Sequence, residues 1–131
     1  MFLLIDTSGR DEISLTLFAG SFFEQKKYPV PNRELLASIE TFLAANNLGV
    51  QDLKGIAVLV GVGGFTSTRI ATTVANTWAY AKNIPVLAVQ ANETTDLASL
   101  EQKLLQTLPG VFISATYSGE PNIGKSKYGS K

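Results

Sequence analysis

The hydrophobic period of the chain first changes from that of strands to that of a helix at Pro29 and Pro31, and that change constrains most of what it can fold into. Before it lie three segments of strand character: "FLLIDT" (2 to 7), "EISLTLFA" (12 to 19) and "SFFEQKKYPV" (21 to 30). Turn formers separate them at Ser8, Gly9 and Arg10 and again around Gly20. In the second segment Ile13, Leu15 and Leu17 alternate with Ser14 and Thr16, the period of a strand with one buried face. The first is apolar on both faces and should lie centrally. Connections this short require antiparallel neighbours.

After the prolines, Leu35, Leu36, Ile39, Phe42 and Leu43 recur at helical spacing, with Asn32 placed to cap the helix and Gly49 to close the segment. A buried-type strand "GIAVLVG" (55 to 61) leads into a second helix capped by Thr66. Then come a strand "PVLAVQ" (85 to 90), a helix from about 95 to 108 and a last strand "VFISAT" (111 to 116). The order β-β-β-α-β-α-β-α-β predicts an α/β lobe over residues 1–116, with a mixed sheet of three antiparallel strands plus strands alternating with helices. This is the order of a single ribonuclease H-like lobe, of which the actin-like and sugar-kinase ATPases carry two copies. Residues 117–131 have no period and carry lysines, so an extended or mobile basic tail is expected.

At 131 residues one domain is the natural size. Eleven lysines and arginines balance eleven acidic residues, so no global field draws nucleic acid or an anionic membrane. The chain has no cysteine and no histidine, which removes disulfides, thiol nucleophiles, imidazole bases and the usual zinc or iron ligands. No metal site is expected. The opening "MFLLIDTSGR" reads as neither a leader peptide nor a membrane span, and a cytoplasmic protein is expected.

The stretch "GVGGFTSTRI" (61 to 70) asks whether it grips a phosphate. A P-loop needs a lysine followed by serine or threonine after its glycines, and this stretch has none. A dinucleotide fingerprint would need a third glycine where Thr66 stands. The favoured reading is a tight strand-to-helix connection whose glycines allow positive φ, with anion binding at the helix amides as the alternative. Asp6 is favoured as a strand-end group bonding its own turn.

The outer faces of the first two helices point to binding. The second helix is expected to bury Ile70, Val74, Thr77 and Ala81, with Trp78 at the border. Its opposite side would then carry Thr72, Ala75, Asn76, Ala79 and Tyr80, and residues 70–81 hold no charge. The first helix places Ala37, Thr41, Ala44 and Ala45 opposite its apolar face, with Glu40 the only charge after Glu34. A solvated helix would show lysine and glutamate there. Small, uncharged faces favour an intermolecular interface; the alternative is cover by the rest of this chain.

"LLIDTS" near the start, "GVGGFTSTRI" and then "NIPVLAVQANE" together resemble the TsaB (YeaZ) family of threonylcarbamoyladenosine-synthesis proteins. Against a family loop close to G-P-G-S-F-T-G-L-R-I-G, Gly61, Gly63, Phe65, Thr66, Arg69 and Ile70 match; Val62, Gly64, Ser67, Thr68 and Ala71 depart. Asp6 and Thr7 belong to the same family pattern, as do Ile84, Pro85, Val86 and Glu93. Asn32, Arg33 and Glu34 replace a common histidine-serine-glutamate, so no contact of that histidine carries over. Family members usually continue into a second lobe, so the resemblance is to a short, one-lobe form.

The resemblance implies a non-catalytic subunit that stabilises a TsaD-like partner for threonylcarbamoyl transfer to a tRNA adenosine beside the anticodon. A TsaE-like ATPase would complete the assembly, and tRNA would be met indirectly. In such proteins the first two helices pack against the corresponding pair of TsaD or of a second copy, which would place the partner interface on the residues named above. The alternative is a small nucleotide-binding lobe acting as a homodimer. No cofactor is expected on the first reading, and ATP or ADP at an interface on the second. Lys125 and Lys127 are candidate contacts to RNA phosphates, against the plainer reading of a solvated tail.

Overall fold

A computed structural model of the chain describes residues 1–114. The central strand β1 (Phe2–Asp6) pairs antiparallel with β2 (Ile13–Ala19), and β2 pairs antiparallel with β3 (Phe22–Tyr28). On its other edge β1 pairs parallel with β4 (Gly55–Leu59), which pairs parallel with β5 (Val86–Val89), giving the order β3-β2-β1-β4-β5. Two-residue alternation sorts the side chains into two cores. Leu3, Ile5, Ile13, Leu15, Leu17, Ile56 and Val58 face α1 (Leu35–Ala45) and α2 (Phe65–Lys82). Phe2, Leu4, Phe18 and Ala57 lie on the opposite face, beneath Leu100 and Leu104 of α3 (Leu97–Gln106). The expected α/β, ribonuclease H-like lobe is present, with β1 central as its all-apolar run required.

The ends of the helices differ from the sequence reading. Asn32 does not cap α1: it opens a 3-10 turn, Asn32–Glu34, and its carboxamide donates to Ser67 Oγ instead. Thr66 does not cap α2, whose N-cap is Gly64 with no side-chain hydrogen bond. By contrast, Asp96 caps α3 by accepting from the Ser99 amide. At the far end of α2, Asn83 adopts φ 55° and its amide reaches the Ala79 carbonyl, ending the helix two residues before Pro85.

The rotational phase of α2 also needs correction. Ala71, Ala75 and Ala79 are buried with Thr68 and Thr72, whereas Thr77 and Ala81, expected in the core, are exposed. Small side chains let the helix backbone approach the sheet, so the bulkier Ile70, Val74 and Trp78 flank the contact and stay partly exposed. The two buried threonines donate to carbonyls of their own helix, Thr68 to Gly64 at 3.1 Å and Thr72 to Arg69 at 3.0 Å. On α1, Leu36 is exposed while Leu35, Ile39, Phe42 and Leu43 are buried.

The expected strand at 111 to 116 does not form over 111–114, which have no regular secondary structure. They are drawn onto α2, where both carboxamide atoms of Asn76 hold the backbone of Ile113. Residues 115 and 116, and the whole tail with Lys125 and Lys127, lie outside the described residues.

Candidate functional site

The parallel strands β1 and β4 end side by side, and their connections leave in opposite directions, β1 returning through a turn to β2 and β4 passing into α2. Crevices for ligands in α/β sheets open at such points. One lip is Asp6 to Gly9, the other Gly61 to Ser67.

On the first lip Asp6 Oδ1 accepts from the Ser8 amide at 2.9 Å and from the Ser8 hydroxyl at 2.6 Å. That is the turn-forming role expected of it. The buried Thr7 hydroxyl donates to the Ser67 carbonyl at 3.2 Å and ties the two lips together. Gly61 and Gly63 hold φ of +83° and +86°. Gly63 also presses on the first lip, where an added Cβ would meet Ser8 Cα at 2.7 Å. The glycines therefore serve a tight strand-to-helix connection, as favoured from the sequence. Phe65 opens α2, and Thr66 and Arg69 lie exposed along its first turns. The N-terminal amides of α2 have no side-chain cap.

The helical faces meet the sequence expectation only in part. On α1, Ala37, Thr41, Ala44 and Ala45 are exposed as expected. On α2, however, Thr72 is 5%, Ala75 0% and Ala79 1% exposed, so these three belong to the protein's own core and not to an outer face. The surface of α2 is instead made by Thr66, Arg69, Thr73, Thr77 and Tyr80. A shallow depression of about 440 Å³ lies along it, lined by Thr66, Arg69, Ile70, Thr73 and Val74. Farther along, Asn76 and Tyr80 face outward as expected, but the chain's own 111–114 segment lies over them. Asn76 Nδ2 donates to the Ile113 carbonyl at 2.8 Å, Oδ1 accepts from its amide at 3.0 Å, and the Tyr80 and Phe112 rings are 6.3 Å apart.

The alanine spacing at 71, 75 and 79 was the available signal for the true buried face of α2. A face centred on Ile70, Val74, Thr77 and Ala81 lies about one position around the wheel from the buried one. Among the described residues no group of three or more potential metal ligands occurs, and no helix is long and apolar enough to cross a membrane.

The sequence profile described as "TsaD: tRNA N6-adenosine threonylcarbamoyltransferase" matches residues 32–118. No curated protein matches the chain. Among solved structures, YeaZ from Pseudomonas aeruginosa superposes with a TM-score of 0.61 at 30% identity, over 80% of this chain and 48% of that one. Another, titled an uncharacterized protein with similarity to peptidase YEAZ from Pseudomonas aeruginosa, gives a TM-score of 0.60 at 30% identity, over 80% and 47%. The chain thus spans about half the length of the solved proteins it matches. With the profile running from the start of the 3-10 turn before α1 through α3 and the structural match carrying the same lobe, the chain belongs to the TsaD/YeaZ (TsaB) family.

Proposed function

We propose that this protein is a non-catalytic subunit that docks on a TsaD-like partner and holds it in the form that transfers a threonylcarbamoyl group to a tRNA adenosine beside the anticodon. The observation that carries the reading is the exposure of small, uncharged Ala37, Thr41, Ala44 and Ala45 on α1, together with a shallow, mainly apolar depression on α2 lined by Ile70, Thr73 and Val74 and bordered by Thr66 and Arg69. Such a surface permits close approach of a second helix pair and removes little hydration from charged groups. The non-catalytic assignment is supported by chemistry: Asp6 Oδ1 is held by its own turn, and the sequence has neither histidine nor cysteine. A TsaE-like ATPase would join the assembly, tRNA would be met through the partner, and the working compartment would be the cytoplasm.

The interface residues on α2 follow from the observed burial. Ile70, Thr73, Val74 and Thr77 replace the buried Thr72, Ala75 and Ala79. The decisive experiment is co-expression with a TsaD-like subunit, followed by size-exclusion chromatography with light scattering. The wild-type pair should co-elute, and Thr41→Arg and Thr73→Arg should each abolish the complex while leaving the monomer folded. A complex indifferent to both arginines would refute this surface; separate elution of the wild-type pair would refute the partner.

A second reading, a nucleotide-binding lobe acting as a homodimer, draws on one observation: the uncapped α2 amides stand beside the Asp6 turn at the sheet's crevice. Saturable ATP or ADP binding by the isolated protein would favour it. The absence of a phosphate-reaching lysine in the 61–70 loop counts against it.

A further inference from the structure

The α3 side of the sheet is covered at one end only. Phe2 and Phe18 stack beneath α3, with ring centroids 5.7 Å apart. Toward the other end of the same face the strand registers bring together residues that do not form an ordinary core: Thr16 stands between Leu4 and Gln25, and Ser14 between Asp6 and Lys27. Thr94, Thr95 and Leu97, leading into α3, form the far wall. Between them lies a cavity of about 260 Å³ lined by Leu4, Asp6, Ser14, Thr16, Phe23 and Gln25 from the sheet.

Two of its polar groups are deeply buried. Thr16 is 2% and Ser14 8% exposed. Gln25 Nε2 donates to both hydroxyl oxygens, at 3.2 Å to Thr16 and 3.4 Å to Ser14. Among the described residues neither hydroxyl donates its own proton, and Gln25 Oε1 and Asp6 Oδ2 accept nothing. Buried donors left without an acceptor are costly, so this cavity has unspent hydrogen-bonding capacity of both signs. The alternation of donor and acceptor matches alcohol groups, each of which does both. Leu4, Leu97 and the half-exposed Phe23 ring supply an apolar surface for the C–H face of such a molecule. Among the described residues Asp6 is the only charged one in the lining, which disfavours phosphates and other anions.

We propose that this cavity binds a small neutral polyol of monosaccharide size, oriented by Thr16, Ser14 and Gln25 with Asp6 accepting from a ligand hydroxyl. The site lies on the opposite face of the sheet from α1 and α2 and stands apart from the partner-docking reading.

The test is a titration of the isotopically labelled full chain with glucose, ribose and inositol, with a glucose phosphate as the anionic comparison. Backbone amides of Ser14, Thr16 and Gln25 and the Gln25 carboxamide are followed by NMR. At least one neutral polyol should shift these signals saturably in the millimolar range and more tightly than the glucose phosphate. Thr16→Val, nearly isosteric, should weaken binding about fivefold to tenfold, the equivalent of one lost hydrogen bond. Gln25→Leu, on the exposed edge strand, provides a second variant should the buried substitution unfold the protein. No saturable shift with any neutral polyol means the cavity holds water alone and overturns the proposal. So does a preference for the phosphorylated sugar, or binding unaffected in whichever of these variants folds.

Discussion

Asn76 holds Ile113 by both backbone groups at once, with its carboxamide oxygen 3.0 Å from the amide and its nitrogen 2.8 Å from the carbonyl. The pair spans 37 residues of sequence and is the polar anchor that lays the 111–114 segment on α2. A carboxamide presents donor and acceptor in one plane, so it satisfies an extended residue much as a neighbouring strand would. Asn76→Ala should lose both bonds, each worth about 1 kcal/mol, at a place where opening is local. Amide exchange at Ile113 should therefore quicken about tenfold or more while the amides of β1 keep their protection. Unchanged exchange at Ile113 would show that Phe112 against Tyr80, not Asn76, holds the segment.

A second prediction separates the two sides of α2. Ala75 is fully buried against the sheet and Thr73 is exposed in the shallow depression. Ala75→Arg forces a long cation into a close helix-sheet contact and should cost about 3 kcal/mol or more. Thr73→Arg should change stability by about 0.5 kcal/mol or less. Thermal melts followed by circular dichroism distinguish them. Equal melting temperatures would overturn the observed phase of α2, and loss of a partner complex in Ala75→Arg would by itself say nothing about an interface.

How much of this was legible in the sequence depends on what each element had to bury. β1 and β4 are apolar on both faces and β2 alternates, so the order of elements and the central place of β1 follow from period alone. The turn role of Asp6 and the positive-φ glycines were legible for the same reason: their chemistry is local. The phase of α2 was not, because its contact with the sheet is made by alanines and threonines, whose polarity hardly distinguishes inside from outside. The strand expected at 111 also failed, since apolar composition cannot tell a sheet edge from a helix surface with an asparagine placed to receive it. Likewise Ser14 and Thr16 read as the solvent side of β2, and only the register that sets Gln25 beside Thr16 reveals a buried polar cluster.

Gly63 and Gly20 provide a paired test of the close contact between the two lips of the crevice. Both hold positive φ, +86° and +59°, but a Cβ at Gly20 meets nothing within 4 Å whereas one at Gly63 strikes Ser8 Cα at 2.7 Å. Gly20→Ala should cost about 1 kcal/mol from backbone strain. Gly63→Ala adds a collision with backbone and should cost about 3 kcal/mol. Urea midpoints measure both. If the two substitutions cost the same, the close approach of the 61–67 loop to the Asp6 turn is not a structural requirement.

The last prediction concerns acid. Glu93 is held below the usual carboxylate range first by the hydrogen bond from Lys103, whose ammonium is 2.5 Å from Oε2, and then by the Gln90 amide. Asp96 is held down by the Ser99 amide and hydroxyl at the start of α3. A carboxylate whose pKa is depressed by folding contributes stability that is present above its unfolded value, about 4, and is lost as pH falls through the folded one. The contribution of these two carboxylates should thus be level from neutral pH to about pH 5 and decline below about pH 4. Both groups lie near the surface, so the Glu93 to Lys103 pair should be weakened by salt. Asp96→Asn isolates one contribution, since asparagine caps a helix about as well as aspartate but does not titrate. Urea midpoints between pH 3 and 7 should coincide for the two proteins near neutrality and decline less steeply in the variant below about pH 4. An identical decline would mean that the Asp96 cap does not carry the acid sensitivity of α3.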